Sequence, residues 1–206
     1  MPFVVPNAVS WLQMEWALSK RFEYQTGCTL TGEHLRYFYE KIFGPTPKHD
    51  PLITWKQFCK DPLPGQKFPF YHWFHDTTKL TRSHLSKEWN KGLIHGFIRK
   101  DKAEEMLRTC PAGTFLLRFS DSQLGGISVA VVNENDDGSL TLVHLQPFLI
   151  SDFEIAKSHS ISDLIRYIRK CTHLYPDKPK DRNFEEFYTS VNKERIKGYV
   201  RRNYNF

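Results

Sequence analysis

The chain has little of what most enzymes and membrane-spanning proteins require. Its four cysteines, Cys28, Cys59, Cys110 and Cys171, are scattered with no Cys-x-x-Cys pair, which argues against a zinc module and against a dense disulfide framework. A reducing compartment is the expected setting. No apolar run approaches the roughly 18 residues of a membrane span, and the opening Met-Pro-Phe-Val-Val-Pro lacks the basic start and long apolar stretch of a secretion signal. Membrane insertion is therefore not expected. There is no Gly-x-x-x-x-Gly-Lys phosphate loop, no metal triad and no Ser/His/Asp arrangement. Cys110-Pro-Ala-Gly113 precedes an arginine, as in a cysteine phosphatase. Arg118, however, lies eight positions beyond Cys110 with a strand between, too far for one loop to wrap one phosphate. No enzyme, cofactor or metal is expected.

What the chain does have is apolar and aromatic side chains, 40% and 15% of its residues, enough for one substantial core or two modest ones. A formal charge of +6 permits an anionic partner without naming it. The basic residues are dispersed, no nucleic-acid signature appears, and direct base reading is not expected. Asn133-x-Asn135-x-Asp137-Gly138 has calcium-loop spacing, but His144 stands where the bidentate glutamate belongs, so the segment reads as a hairpin turn.

The most informative stretch is Gly113 to Ser122. Extended, it alternates Phe115, Leu117 and Phe119 on one face with Thr114, Leu116, Arg118 and Ser120 on the other. A guanidinium among apolar neighbours needs an anion, because an unpaired buried charge costs several kcal/mol. Two partners fit: a phosphate gripped by the planar fork with hydroxyls of Ser120 and Ser122 beside it, or an internal carboxylate. Gly125 and Gly126 mark a turn before a second strand, Ile127 to Val132, so a loop able to offer donors to an anion follows Arg118. Lys100 lies near the start of a short helix over 101–108, where a mobile positive charge would add to that fork.

Elsewhere the spacing predicts a helix over 8–25 with Val9, Leu12, Trp16 and Phe22 as its apolar stripe, ended by Gly27. A second helix opens at Thr31 and closes at Gly44-Pro45, a short one covers Trp55 to Cys59, and a longer one runs from Tyr71 to about Trp89. Leu140 to Leu145 forms a third strand through the Asp137-Gly138 turn, Ser160 opens a helix with Leu164, Ile165 and Ile168, and Phe184 to Tyr188 adds a short segment. The basic end, Lys193 to Arg202, reads as a solvated flexible tail.

Phe97-Ile98 followed by a helix, then Pro111-x-Gly113-Thr-Phe-Leu-Leu-Arg118-Phe-Ser-Asp-Ser122, closely resembles an SH2 domain of the STAT type (signal transducers and activators of transcription). Ser10-Trp11, Phe43-Gly44-Pro45, Ile53-x-Trp55-x-x-Phe58-Cys59-Lys60, Lys67-Phe68-Pro69-Phe70 and Trp89-Asn90-x-Gly92 resemble the helical linker domain of the same family. The resemblance implies an α+β architecture: a helical, EF-hand-like linker domain over 1–92, an SH2 domain over 93–190 with a central antiparallel sheet flanked by helices, and a tail over 191–206. It implies that Arg118 binds phosphotyrosine, that Lys100 reaches the phosphate, that Ser120, Asp121 and Ser122 form the loop over it, and that His144 lies on the pocket wall. Gly198-Tyr199-Val200-Arg201 resembles the family's activation site, with Tyr204 as the alternative acceptor.

By the same resemblance the partners are phosphotyrosine peptides of receptors or kinases, a tyrosine kinase acting on the tail, and a second copy in a homodimer. In that dimer, phosphorylated Tyr199 of each chain enters the Arg118 pocket of the other. With the domain ending near Ser190, the nine residues to Tyr199 span roughly 30 Å at most, which favours binding in trans. The alternative is an SH2 adaptor module without tail-mediated dimerisation. Residues before Ser10 resemble the exit from the family's DNA-binding domain. The resemblance thus implies a longer protein that binds DNA through a domain outside this chain and moves from cytoplasm to nucleus on activation.

Overall fold

The computed structural model describes residues 7–46 and 48–204. Residues 8–54 build the first helical layer. Strand β1 (Ala8–Ser10) pairs antiparallel with β2 (Leu52–Thr54), and between them lie α1 (Trp11–Thr26) and α2 (Gly32–Phe43). Ser10 and Thr31 cap these helices with their hydroxyls, each in a reciprocal capping box, and Gly27 ends α1 in the left-handed conformation. The buried face of α1 differs from the expected stripe. Trp11, Leu18 and Phe22 point inward, whereas Leu12 and Trp16 are 64% and 67% exposed. Both faces carry apolar residues, so periodicity alone could not choose between them.

Three further helical segments complete this half: α3 (Trp55–Cys59), α4 (Phe70–Leu80) and α5 (Ser86–Asn90), the last two joined through a π-turn at 81–85. The expected long helix is thus continuous in path but wider in its middle. The segment at 95–97 then runs beside residues 117–119 of the main sheet's central strand, with Gly96 bridging to Arg118 and donating to the Leu117 carbonyl. Gly96 has φ +78°, and a Cβ there would stand 2.5 Å from the Trp89 ring, so only glycine fits.

Helix α6 (Lys100–Leu107) leads to the sheet, whose strands are β3 (Thr114–Phe119), β4 (Gly126–Glu134), β5 (Leu140–His144), β6 (Phe148–Leu149), β7 (His173–Leu174) and β8 (Lys178–Pro179). Strands β5-β4-β3 are antiparallel as expected, and β7 joins β3 in parallel. The alternation along β3 holds. Phe115, Leu117 and Phe119 enter the main core, and Leu116 joins a second cluster with Ala103, Leu107, Ala130 and Val132. Helices α7 (Ile150–Ala156), α8 (Ile161–Ile165) and α9 (Lys180–Phe184) follow on the main-core side. Helix α8 is shorter than the spacing suggests, with Ile168 buried just beyond it.

The flexible tail is corrected. Residues Lys193–Tyr204 form helix α10, which packs on α7 and α8 through buried Ile196, Val200 and Tyr204. Those three side chains recur at intervals of four, an apolar stripe hidden among basic residues. Helical rise is about 1.5 Å per residue, so the segment is less than half the length of an extended strand. The main core runs without a break from α1 to α10. Phe97 stands at its middle, with Phe38 and Phe119 rings both 4.6 Å away and Phe22, Tyr37, Trp73 and Trp89 around them.

Candidate functional site

Arg118 lies in β3, 5% exposed, on the face away from the main core. Its Nη1 donates to the Phe119 carbonyl at 3.1 Å and to Asp121 Oδ2 at 2.9 Å. Of the two partners open to this arginine, the internal carboxylate is the one it meets. Asp121, expected as part of a loop over a phosphate, here pairs with one guanidinium nitrogen of Arg118. The two stand three positions apart, so the bend after β3 brings the carboxylate back onto the strand's own arginine. Among the described residues, Arg118 Nε and His144 Nδ1 are buried without a hydrogen-bond partner. Buried polar atoms are seldom left so, and these two flank one site.

Ser120 is buried, and its Oγ accepts from the backbone N–H groups of Ser122 at 3.4 Å and Gln123 at 3.2 Å. It therefore shapes the loop rather than pointing away from it. Ser122 is exposed at the loop tip. The loop is anchored from α4 as well, because the Trp73 indole donates to the Ser120 carbonyl at 2.8 Å. Lys100 opens α6, and its Nζ lies 3.7 Å from Glu104, one turn on. Glu104 also meets His144 Nε2 at 2.9 Å. Burial lowers the His144 pKa, the Glu104 contact opposes that shift, and Lys100 and Arg118 add to it.

Sequence reasoning missed the contribution of α2. Tyr37 donates its hydroxyl to Asp121 Oδ1, and Lys41 Nζ pairs with the same oxygen at 3.0 Å. Burial would raise the Asp121 carboxyl, yet Lys41, the Tyr37 hydroxyl and Arg118 outweigh it and hold the group below its ordinary value. Burial lowers Lys41, with Asp121 opposing, and burial together with Asp121 raises Tyr37 well above the usual phenol range. The available signal was Tyr37 and Lys41 at i, i+4 beside core Phe38, one face of one helix.

These groups border a cavity of about 610 Å³ lined by Tyr37, Lys41, Arg99, Lys100, Glu104 and Asp121 among others. Lys41 of α2 and Arg99 and Lys100 at the start of α6 bring cations to the cleft, with Arg118 of β3 behind Asp121, and the carboxylates of Glu40, Asp101, Glu104 and Asp121 stand among them. Such a set can exchange an internal carboxylate for an incoming dianion.

Tyr199 and Tyr204 lie on α10, away from that cavity. The Tyr199 hydroxyl donates to Asp152 Oδ1 at 2.6 Å, and Tyr204 is buried against Phe148, ring centroids 4.3 Å apart. Asp152 also accepts from the Leu149 N–H at 2.7 Å through its other oxygen, fixing the start of α7. Burial and Asp152 raise both phenols.

Residues 1–74 match the family described as "Signal transducer and activator of transcription, linker domain", and residues 93–168 match the SH2 domain family. A relative from Anopheles gambiae named "Signal transducer and transcription activator" is 37% identical over 203 residues. The alignment covers 96% of this chain and 28% of that relative, so the chain spans under a third of the relative's length.

Proposed function

Because the chain belongs to the family of signal transducers and activators of transcription, carrying its linker and SH2 domains, we propose that the Arg118 cleft binds phosphotyrosine. The division falls near residue 92, with the SH2 domain over 93–190 and the tail beyond. One observation carries the reading: a buried mid-strand arginine whose one carboxylate contact, Nη1 to Asp121, lies at the edge of a cavity bordered by Lys41, Arg99 and Lys100. Lys100, Ser120, Ser122 and His144 supply further contacts, and Asp121 yields its place to the phosphate. A phosphate ester carries about −1.5 to −2 charges and three acceptor oxygens, which a single carboxylate does not match.

The ligand is a phosphotyrosine of a receptor and, in the activated state, phosphorylated Tyr199 of a second copy, with Tyr204 as the alternative. Two reciprocal contacts close a two-fold dimer and strengthen each other through effective concentration. Dimer formation then requires α10 to leave its seat, since its docked form holds Tyr199 on Asp152. In the whole protein the dimer moves from cytoplasm to nucleus and binds DNA through a separate domain.

The docked α10 also favours a second reading, an adaptor module that binds receptor phosphopeptides and does not exchange its tail. Titration with the Tyr199 phosphopeptide tests the shared part. Wild type binds it and not the unphosphorylated peptide, and Arg118→Ala loses most of the affinity while keeping the fold. Equal binding by both proteins overturns the phosphotyrosine reading. Sedimentation of the kinase-treated wild type beside Tyr199→Phe separates the two readings: tail exchange gives a wild-type dimer and a monomeric Tyr199→Phe, whereas an adaptor is monomeric in both.

A further inference from the structure

Lys41 is unusual for a surface lysine. Its side chain is 11% exposed, it pairs with Asp121, the carboxylate bonded to Arg118 Nη1, and it lies over the Trp73 ring at 4.6 Å. A buried ammonium is costly, and a salt bridge in such a place is weak grounds for stability by itself. Asp121 is the most exposed member of the Arg118–Asp121–Lys41 clasp, at 30%, and it lines the cavity. Tyr37 completes the ring with a hydroxyl directed at the same carboxylate. Two cations and one phenol therefore converge on a single anionic position, from two elements belonging to two different domains.

Resting on the phosphotyrosine reading, we propose that the linker helix α2 supplies half of the phosphate site, with Lys41 as its second cation and Tyr37 as a neutral donor. The incoming phosphate takes the position of the Asp121 carboxylate between Arg118 and Lys41. Asp121 is the exchanging group and swings toward the cavity as the phosphate enters. Charge favours the exchange, because two cations and a hydroxyl are better matched by a dianion with three oxygens than by one carboxylate. The phosphate thus bridges β3 and α2, and recognition depends on the linker as well as on the SH2 domain. The unpartnered Arg118 Nε lies on the same guanidinium, so a ligand that reorients the fork can satisfy it.

The test uses the full chain and the Tyr199 phosphopeptide, titrated against wild type, Lys41→Met, Lys41→Arg, Asp121→Asn and Arg118→Ala. Lys41→Met keeps the apolar stem and weakens binding about tenfold or more, the scale of one lost charge-assisted hydrogen bond. Lys41→Arg restores most of it. In wild type, the Lys41 Nζ resonance shifts on adding phosphopeptide and stays in place with unphosphorylated peptide. Unchanged affinity in Lys41→Met, or a Lys41 resonance indifferent to phosphopeptide, overturns the proposal. Arg118→Ala provides the separation: loss there with no effect at Lys41 sinks only the linker's role, whereas no loss at Arg118 sinks the phosphotyrosine reading itself. Should Lys41→Met unfold, the wild-type resonance still decides.

Discussion

Asp121 is the residue on which the site turns. Its carboxyl is held below the ordinary aspartate value, so the clasp's contribution to stability is present above that ordinary value and is lost as pH falls through the lower folded one. Urea midpoints of wild type and Asp121→Asn should therefore differ at neutral pH and converge in acid. The same substitution removes the carboxylate that competes for Arg118, and phosphopeptide affinity should rise several-fold even as the fold weakens. His144 titrates below the ordinary histidine value, so it is neutral until acid pH, and stability is lost as pH falls into that range. A phosphate placed beside it favours the charged ring. NMR titration should find its pKa raised when phosphopeptide is bound, and an unmoved value would remove His144 from the pocket wall.

Among the elements, α10 changes the picture most. Its stripe of Ile196, Val200 and Tyr204 was hidden by the surrounding Lys and Arg, which dominate a composition-based reading. The expectation of a solvated tail failed because three well-spaced apolar residues suffice once a groove on α7 and α8 receives them. A phosphate on Tyr199 would sit against the Asp152 carboxylate, like charge upon like charge, in the place of a 2.6 Å hydrogen bond. Hydrogen exchange over 193–204 should accelerate on phosphorylation. Val200→Asp, which buries a charge in the same groove, should produce that release without any phosphate and should speed modification of Tyr199 by a kinase. A helix turn seldom suits a kinase active site, so the docked form lowers the fraction of chains available as substrate. The helix α1 teaches the complementary lesson: with Trp11, Leu12, Trp16 and Leu18 all apolar, only tertiary contact decides which face is buried.

In the whole molecule, the strand alternation around Arg118, the caps at Thr31 and Gly27 and the hairpin at Gly138 were legible because they are local. The Tyr37 and Lys41 contribution was not, since it depends on the chain returning α2 to the Asp121 loop across a separation of 80 positions. Phe97 joins the two halves, and Phe97→Ala should cost about 3 to 5 kcal/mol. Calorimetry should record this as a downward shift of one shared transition, because the linker and the sheet unfold around the same ring; two separated transitions would contradict a common core. This bears on portability. SH2 domains are commonly thought of as cassettes, movable from one protein to another with their specificity intact. Here residues 93–190 cut from the linker would expose Phe97 and Phe119, lose the Trp73 anchor of the loop, and leave Arg118 with half its surroundings. The unit that can be transplanted is the linker and SH2 domain together, and a graft of the second alone should aggregate rather than bind.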